Sequence, residues 1–175
     1  VPKTHLPNYS EFYEKRQFAP APEGAPFPID GLCGETVLFG AKQLFRCKEV
    51  PELTLGLEIC EDLWAPVSPS AALAAAGATV IGNLSASNDL IGKDAYRRQL
   101  TAMQSAKLLC GYLYTSAGEG ESTSDVVFGA HKMIAENGSM LAESRFKNDL
   151  LLSQIDVQKL AYERRRTQLF SDGEN

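Results

Sequence analysis

The stretch from Leu53 to Trp64 (LTLGLEICEDLW) constrains the fold more than any other part of the chain. It alternates strictly before it turns. Leu53, Leu55, Leu57 and Ile59 share one face of a strand, and Thr54, Gly56, Glu58 and Cys60 share the other. Cys60 therefore ends a half-buried strand, off the leucine face, just before an acidic turn. Active sites of open α/β sheets gather at the carboxyl ends of strands. The spacing alone leaves two readings of Cys60 open: a thiol placed for chemistry, or one more buried, inert cysteine.

The rest of the chain supplies the elements around this strand. Ala19 to Pro28 is rich in Pro, Ala and Gly and reads as a loop. Thr36 to Gly40 reads as a short strand. Ser68 is placed to cap a helix with Pro69 at its first position, running to Ala76 and stopped by Gly77. Thr79 to Ser85 is a buried strand. Asp94 caps a helix whose apolar side reads Tyr96, Leu100, Met103 and Cys110. Gly111 to Ala117 is another strand, and Lys132 to Glu143 is a hairpin around Asn137-Gly138. Leu150 to Ile155 reads as a strand, followed by a helix capped by Asp156 that reaches Arg166. Ser171 to Asn175 reads as a polar tail. Strands alternating with helices, then an antiparallel hairpin, predict an α/β chain with a mixed sheet.

Composition excludes several classes. The 175 residues suffice for one domain that buries roughly 70% of its unfolded surface. A formal net charge of -5 gives no electrostatic case for nucleic acid, and Arg164-Arg165-Arg166 reads as a solvated helix end. No apolar run approaches the ~18 residues a membrane span needs. No signal peptide is visible, and the opening Val1-Pro2-Lys3, without an initiator Met, reads as the interior of a domain. The four cysteines form no C-x-x-C pair and the only histidines are His5 and His131, so no metal site is expected. Reduced thiols and the cytoplasm are the default.

A thiol attacks as the thiolate and needs a base or a cation nearby. His131 lies between apolar strands and reads as a surface or packing residue; His5 lies near the start. Lys3, followed by Glu11 and Glu14, is an alternative neighbour, although alone it reads as a surface lysine. Gly118-Glu119-Gly120-Glu121-Ser122-Thr123 lacks the Gly-Lys-Ser/Thr ending of a phosphate loop and reads as a tight loop near a site.

Several ordered motifs then act together. Lys3-x-x-Leu6-Pro7-x-Tyr9-x-x-Phe12-x-Glu14-x-Arg16-x-Phe18 and Gly56-Leu57-Glu58-Ile59-Cys60-Glu61-Asp62-Leu63-Trp64 resemble the lysine and cysteine motifs of the nitrilase (carbon–nitrogen hydrolase) superfamily. Asn83-Leu84-Ser85-Ala86-Ser87-Asn88, the Gly118–Asp125 loop with Phe128-Gly129, and Ile134-Ala135-Glu136-Asn137-Gly138 narrow the resemblance. They are similar to the glutaminase domains of glutamine-dependent NAD+ synthetases, from Lys3 to about Arg166.

The resemblance implies an αββα sandwich with mixed sheets and a Glu-Lys-Cys triad that hydrolyses the side-chain amide of L-glutamine and passes ammonia to a synthetase domain. Carried over by position, Cys60 is the nucleophile, and Lys3 with the backbone N–H of Glu61 holds the oxyanion. Lys3 would also favour the thiolate of Cys60. Glu14 is a supporting carboxylate. Tyr9, Glu61, Trp64, Ser87 and Lys93 bind the amino-acid end of the substrate; relatives often carry Arg at the Lys93 position, so the bidentate fork is lost there. The glutaminase part needs no cofactor, and ATP and Mg belong to the synthetase domain, which has no counterpart in this sequence. The family's general-base glutamate matches no residue of this chain either. Residues 1–170 are thus expected to form a glutaminase domain incomplete at its N-terminal side, with little turnover alone. A homo-oligomer is expected, with neither nucleic acid nor membrane as a partner. Two other readings stand beside this one: another nitrilase-type amidase or carbamoylase, and a non-catalytic truncated assembly module.

Overall fold

In a computed structural model, which describes residues 1–167 and 170, the chain runs β1 (Phe27–Leu32), β2 (Glu35–Phe39), β3 (Leu44–Arg46), β4 (Thr54–Ile59), α1 (Pro69–Ala75), β5 (Val80–Ser85), α2 (Lys93–Lys107), β6 (Gly111–Ser116), β7 (Lys132–Glu136), β8 (Ser139–Ser144) and α3 (Val157–Arg166). β3 to β8 form one six-stranded sheet in sequence order, while β1 and β2 pair as a separate antiparallel hairpin. β4, β5 and β6 are parallel; β3 and β7 flank them antiparallel, and β8 pairs antiparallel with β7. This is the expected mixed sheet. The tail at 171–175 lies outside the described residues, and the side chain of Leu32 is likewise not described.

The strand β4 alternates as expected, but its faces are used the other way round. Thr54, Gly56 and Glu58 are buried, while Leu55, Leu57 and Ile59 are only partly so. The reason is the helical layer. Through the register, Gly56 and Glu58 lie beside Ile81 and Asn83, and these beside Tyr112 and Tyr114. That face carries α1 and α2. At Gly56 a Cβ would stand 3.0 Å from Ile81 Cδ1 and 3.1 Å from the Leu73 Cβ, so glycine lets α1 approach closely. The opposite, leucine face is half-open. It forms a groove of about 440 Å³ between Leu55, Leu57, Leu113 and Ile134 on one side and Leu150 and Leu151 on the other.

That groove corrects the strand expected at Leu150 to Ile155. The segment has no ladder partner. Leu150 and Leu151 pass over the sheet face and Ile155 packs where a Gly111 Cβ would be, so the segment never reaches a free edge. Only part of the apolar pattern is used in packing: Leu151 and Ile155 are half-buried, while Leu150 and Leu152 are exposed.

Three further expectations are corrected. β1 falls partly in the stretch read as loop, because its first residues, Phe27 and Pro28, closed a Pro-rich run. α2 starts at Lys93 behind Gly92 (φ 80), placing Asp94 inside the first turn; its buried residues are Arg97, Thr101 and Ser105, while Tyr96 and Met103 are exposed. Arg97 and Ser105 are hydrogen-bonded on that inner face, whereas the Thr101 hydroxyl has no partner among the described residues. Arg164 is buried, not solvated: its guanidinium donates to the carbonyls of Leu109 (2.9 Å) and Leu108 (2.8 Å), satisfying the chain just after α2.

The α1 cap also differs. Ser68 precedes Pro69 but makes no side-chain cap bond; the Ser70 N–H instead donates to Glu58 Oε2 at 2.8 Å. The Asn137-Gly138 turn is as read, with φ 43 and 87, as a two-residue hairpin turn of the primed type requires.

Candidate active site

Cys60 stands at the end of β4 with φ 48, a left-handed conformation rarely taken by a residue with a Cβ. It opens a one-turn 3-10 helix, Cys60–Leu63. At such a start the first N–H groups, Glu61's among them, have no partner inside the turn. The thiol is free, and the residue is 9% exposed.

The bend is held by Asp62, which is 1% exposed. Its carboxylate accepts the N–H of Ile59 at 2.9 Å, just before Cys60. It also accepts the N–H of Thr4 at 3.1 Å and of His5 at 2.7 Å, and lies 3.0 Å from His5 Nδ1. One buried anion thus clamps the N-terminal segment to the Cys60 turn. Lys3 immediately precedes that clamp. Its ammonium donates to both oxygens of Glu14, at 2.7 and 2.6 Å. Lys3, Glu14 and Cys60 line one pocket of about 660 Å³, with Leu6, Ser85 and Ser116 among its other walls.

The residues expected at the amino-acid end gather beside it. The Tyr9 hydroxyl donates to Glu61 Oε1 at 2.7 Å. The Lys93 ammonium lies 5.4 Å from the Trp64 ring centroid and 5.7 Å from that of Phe12, and it donates to Asn88 Oδ1. Asn88 in turn donates to Glu11, and the Ser87 hydroxyl accepts from Arg97 at 3.2 Å. Every site residue read from the sequence therefore lies in one neighbourhood. The reading passed over Asp62, Glu11, Phe12, Asn88 and Arg97 as site residues, although the first four stand inside the quoted motifs. The Gly118–Asp125 loop does lie near the site: Tyr13, in the lysine motif, donates to Asp125 at 2.7 Å.

The sequence comparisons decide the lineage. Over 175 residues the chain is 46% identical to the glutamine-dependent NAD(+) synthetase of Mycobacterium tuberculosis, covering 98% of this chain and 26% of that protein. The chain is homologous to part of the glutamine-dependent NAD(+) synthetases. It spans about a quarter of the length of the relatives it matches (26% for that protein). Among solved structures it is similar to a glutamine-dependent NAD(+) synthetase from Cytophaga hutchinsonii, with a TM-score of 0.68 and 27% identity over 82% of this chain and 22% of that one. A carbon-nitrogen hydrolase from Helicobacter pylori shares the fold, with a TM-score of 0.73 at 19% identity over 97% of this chain and 56% of that one. No family model matches the chain.

Burial and neighbouring charges set the protonation tendencies of the residues beside the pocket. Desolvation, reinforced by the Glu61 carboxylate, raises the Tyr9 phenol, so it stays a hydrogen-bond donor. Desolvation and then the nearby Arg97 lower the Lys93 ammonium. A cation so placed is stabilised by any anion that docks on it. Among the described residues no group of three His, Cys, Asp or Glu could hold a metal ion, and no helix is long and apolar enough to cross a membrane.

Proposed function

We propose that this chain carries the glutamine-hydrolysing site of a glutamine-dependent NAD+ synthetase. The observation that carries the reading is the convergence of Cys60, Lys3 and Glu14 on one pocket, beside the Tyr9–Glu61 pair and Lys93. The Cys60 thiolate attacks the side-chain amide carbon of L-glutamine. Lys3 and the Glu61 N–H hold the oxygen that becomes negative, which favours the transition state over the ground state. Glu14 orients the Lys3 side chain through both of its carboxylate oxygens. The C–N bond breaks, ammonia leaves with the thiol proton, and water cleaves the thioester to glutamate, restoring the thiol. The proton transfers need a general base that we assign to none of residues 1–175.

The amino-acid end docks by charge. Glu61 and the Tyr9 hydroxyl meet the ammonium side, Ser87 and Lys93 meet the α-carboxylate, and Trp64 walls the pocket. The ammonia is consumed by a synthetase domain, where ATP and Mg act. Four free cysteines fit a reducing compartment, on which ground we assign the cytoplasm.

Replacing Cys60 by Ala in the intact protein is expected to abolish glutamine-supported NAD+ formation and leave ammonia-supported formation intact. Glutamine use that survives this change sinks the assignment. A diazoketone analogue of glutamine is expected to add once, at Cys60, by intact mass and peptide mapping.

A further inference from the structure

Arg97 is 1% exposed and is among the largest fully buried side chains of the molecule. Among the described residues no carboxylate is a hydrogen-bond partner of it. One terminal nitrogen lies 3.0 Å from His131 Nδ1; the other donates to the Ser87 hydroxyl at 3.2 Å and to the Asn88 carbonyl at 2.9 Å. Its Nε is buried without a partner. A buried guanidinium is costly unless paired, so its retention beside Ser87 and Lys93 needs a reason that core packing does not supply.

The partner behind it is equally specific. His131 is 0% exposed, and its Nε2 lies 3.0 Å from Glu143 Oε1. Arginine has only donors, so Nδ1 must accept and the proton must sit on Nε2, pointed at Glu143. Glu143 also accepts from Arg98 at 2.7 Å, on the exposed side of α2. A column thus runs from Arg98 through Glu143, His131 and Arg97 to the residues that begin the Ser87-Asn88 turn. It joins β8, the approach to β7, α2 and the loop after β5.

We infer that Arg97 is a positioning residue for the substrate pocket: oriented by His131, it fixes the Ser87 hydroxyl and the Asn88 backbone, and so sets where Ser87 and Lys93 receive an α-carboxylate. The inference rests on the glutamine reading above. Asn88 relays the same order to Lys93, whose ammonium donates to its side chain. Arg97 itself follows Lys93 by one helical turn on the same face of α2. The two cations and the hydroxyl converge on one turn, which is what a carboxylate needs and an uncharged amide does not.

The column also has a proton dependence. The groups facing His131 are Arg97 from α2, Glu143 from β8, the Tyr114 ring of β6 at 6.3 Å, and Arg145 beyond. Protonating Nδ1 would set a cation against the Arg97 guanidinium and release it.

The test uses the intact protein with two variants and two amides: L-glutamine, and butyramide, which lacks the α-carboxylate. In Arg97→Lys, one ammonium cannot serve Ser87, Asn88 and His131 together. We expect the KM for glutamine to rise about tenfold or more with kcat changed less than about threefold, and butyramide turnover to stay at the wild-type value. In the wild type, the KM for glutamine rises as pH falls; in His131→Gln that dependence flattens. Equal losses on both amides in Arg97→Lys would show a merely structural role and overturn the inference, as would an unchanged KM. Should Arg97→Lys fail to fold, an unaltered pH dependence in His131→Gln overturns it. A wild type that turns over butyramide but not glutamine removes the glutamine reading itself, and the inference with it.

Discussion

Two sides of the candidate site are held by opposite charges. On the Cys60 side a buried carboxylate, Asp62, accepts backbone N–H groups from Thr4, His5 and Ile59. On the other side a buried guanidinium, Arg97, donates to Ser87 and to the Asn88 carbonyl. On the proposed glutamine reading each holder suits its side. Asp62 fixes the backbone beside Lys3 and the Cys60 turn, which would meet a developing anion, and Arg97 fixes the turn beside Lys93, which would meet a fixed one. The reading then ties the first side to the chemical step and the second to affinity.

The largest expected effect breaks the comparison at its firmest point. Asp62→Ala leaves three buried or half-buried N–H groups without an acceptor, at about 1–3 kcal/mol each. Denaturant unfolding is expected to show a loss of about 3 kcal/mol or more, with Asp62→Asn, which keeps one acceptor oxygen, in between. An Asp62→Ala protein as stable as the parent would mean that the clamp is not what holds the turn.

Lys3→Met comes next. It removes the cation from the oxyanion side while Glu14 remains, and kcat with glutamine is expected to fall about 10²–10³-fold with KM within a few-fold. Steady-state kinetics decides it; a change confined to KM would put Lys3 on the wrong side. Lys93→Ala sharpens the contrast from the other side. It is expected to raise the KM for glutamine about 10- to 100-fold, as losing one charge-assisted hydrogen bond of about 1.5–3 kcal/mol predicts, and to leave kcat nearly unchanged.

The smallest effect is on stability against pH. Burial lowers the His131 imidazole from its usual value of 6.5, with Arg97 adding to this and Glu143 opposing it. The unfolded chain binds the proton more readily than the folded one, so stability rises with pH across that window. The contribution is fully present above about pH 6.5 and is lost as pH falls through the lower folded value. Thermal unfolding in that window is expected to show the slope in the wild type and a shallower one in His131→Gln.

The contrast also separates what a chain announces locally from what it does not. The β4 alternation, the Asn137-Gly138 turn and the motif around Cys60 are local patterns, and each became the element expected. The Leu150–Ile155 stretch has a strand's composition but no ladder partner; Leu151 and Ile155 are half-buried, while Leu150 and Leu152 stay exposed. The apolar spacing of Tyr96 and Met103 pointed outward because the inner face of α2 was taken by Arg97, Thr101 and Ser105.

By itself the sequence determined the mixed α/β pattern, the family and the neighbourhood of Cys60, since these are written in spacing and in short ordered motifs. Only the tertiary structure decided which face of β4 is buried, that Asp62 clamps Thr4 and His5, and that His131 lies behind Arg97. Those pairings join residues far apart in the chain. Hydrogen bonds between such groups follow from packing geometry, and neither residue's local context carries a sign of its partner.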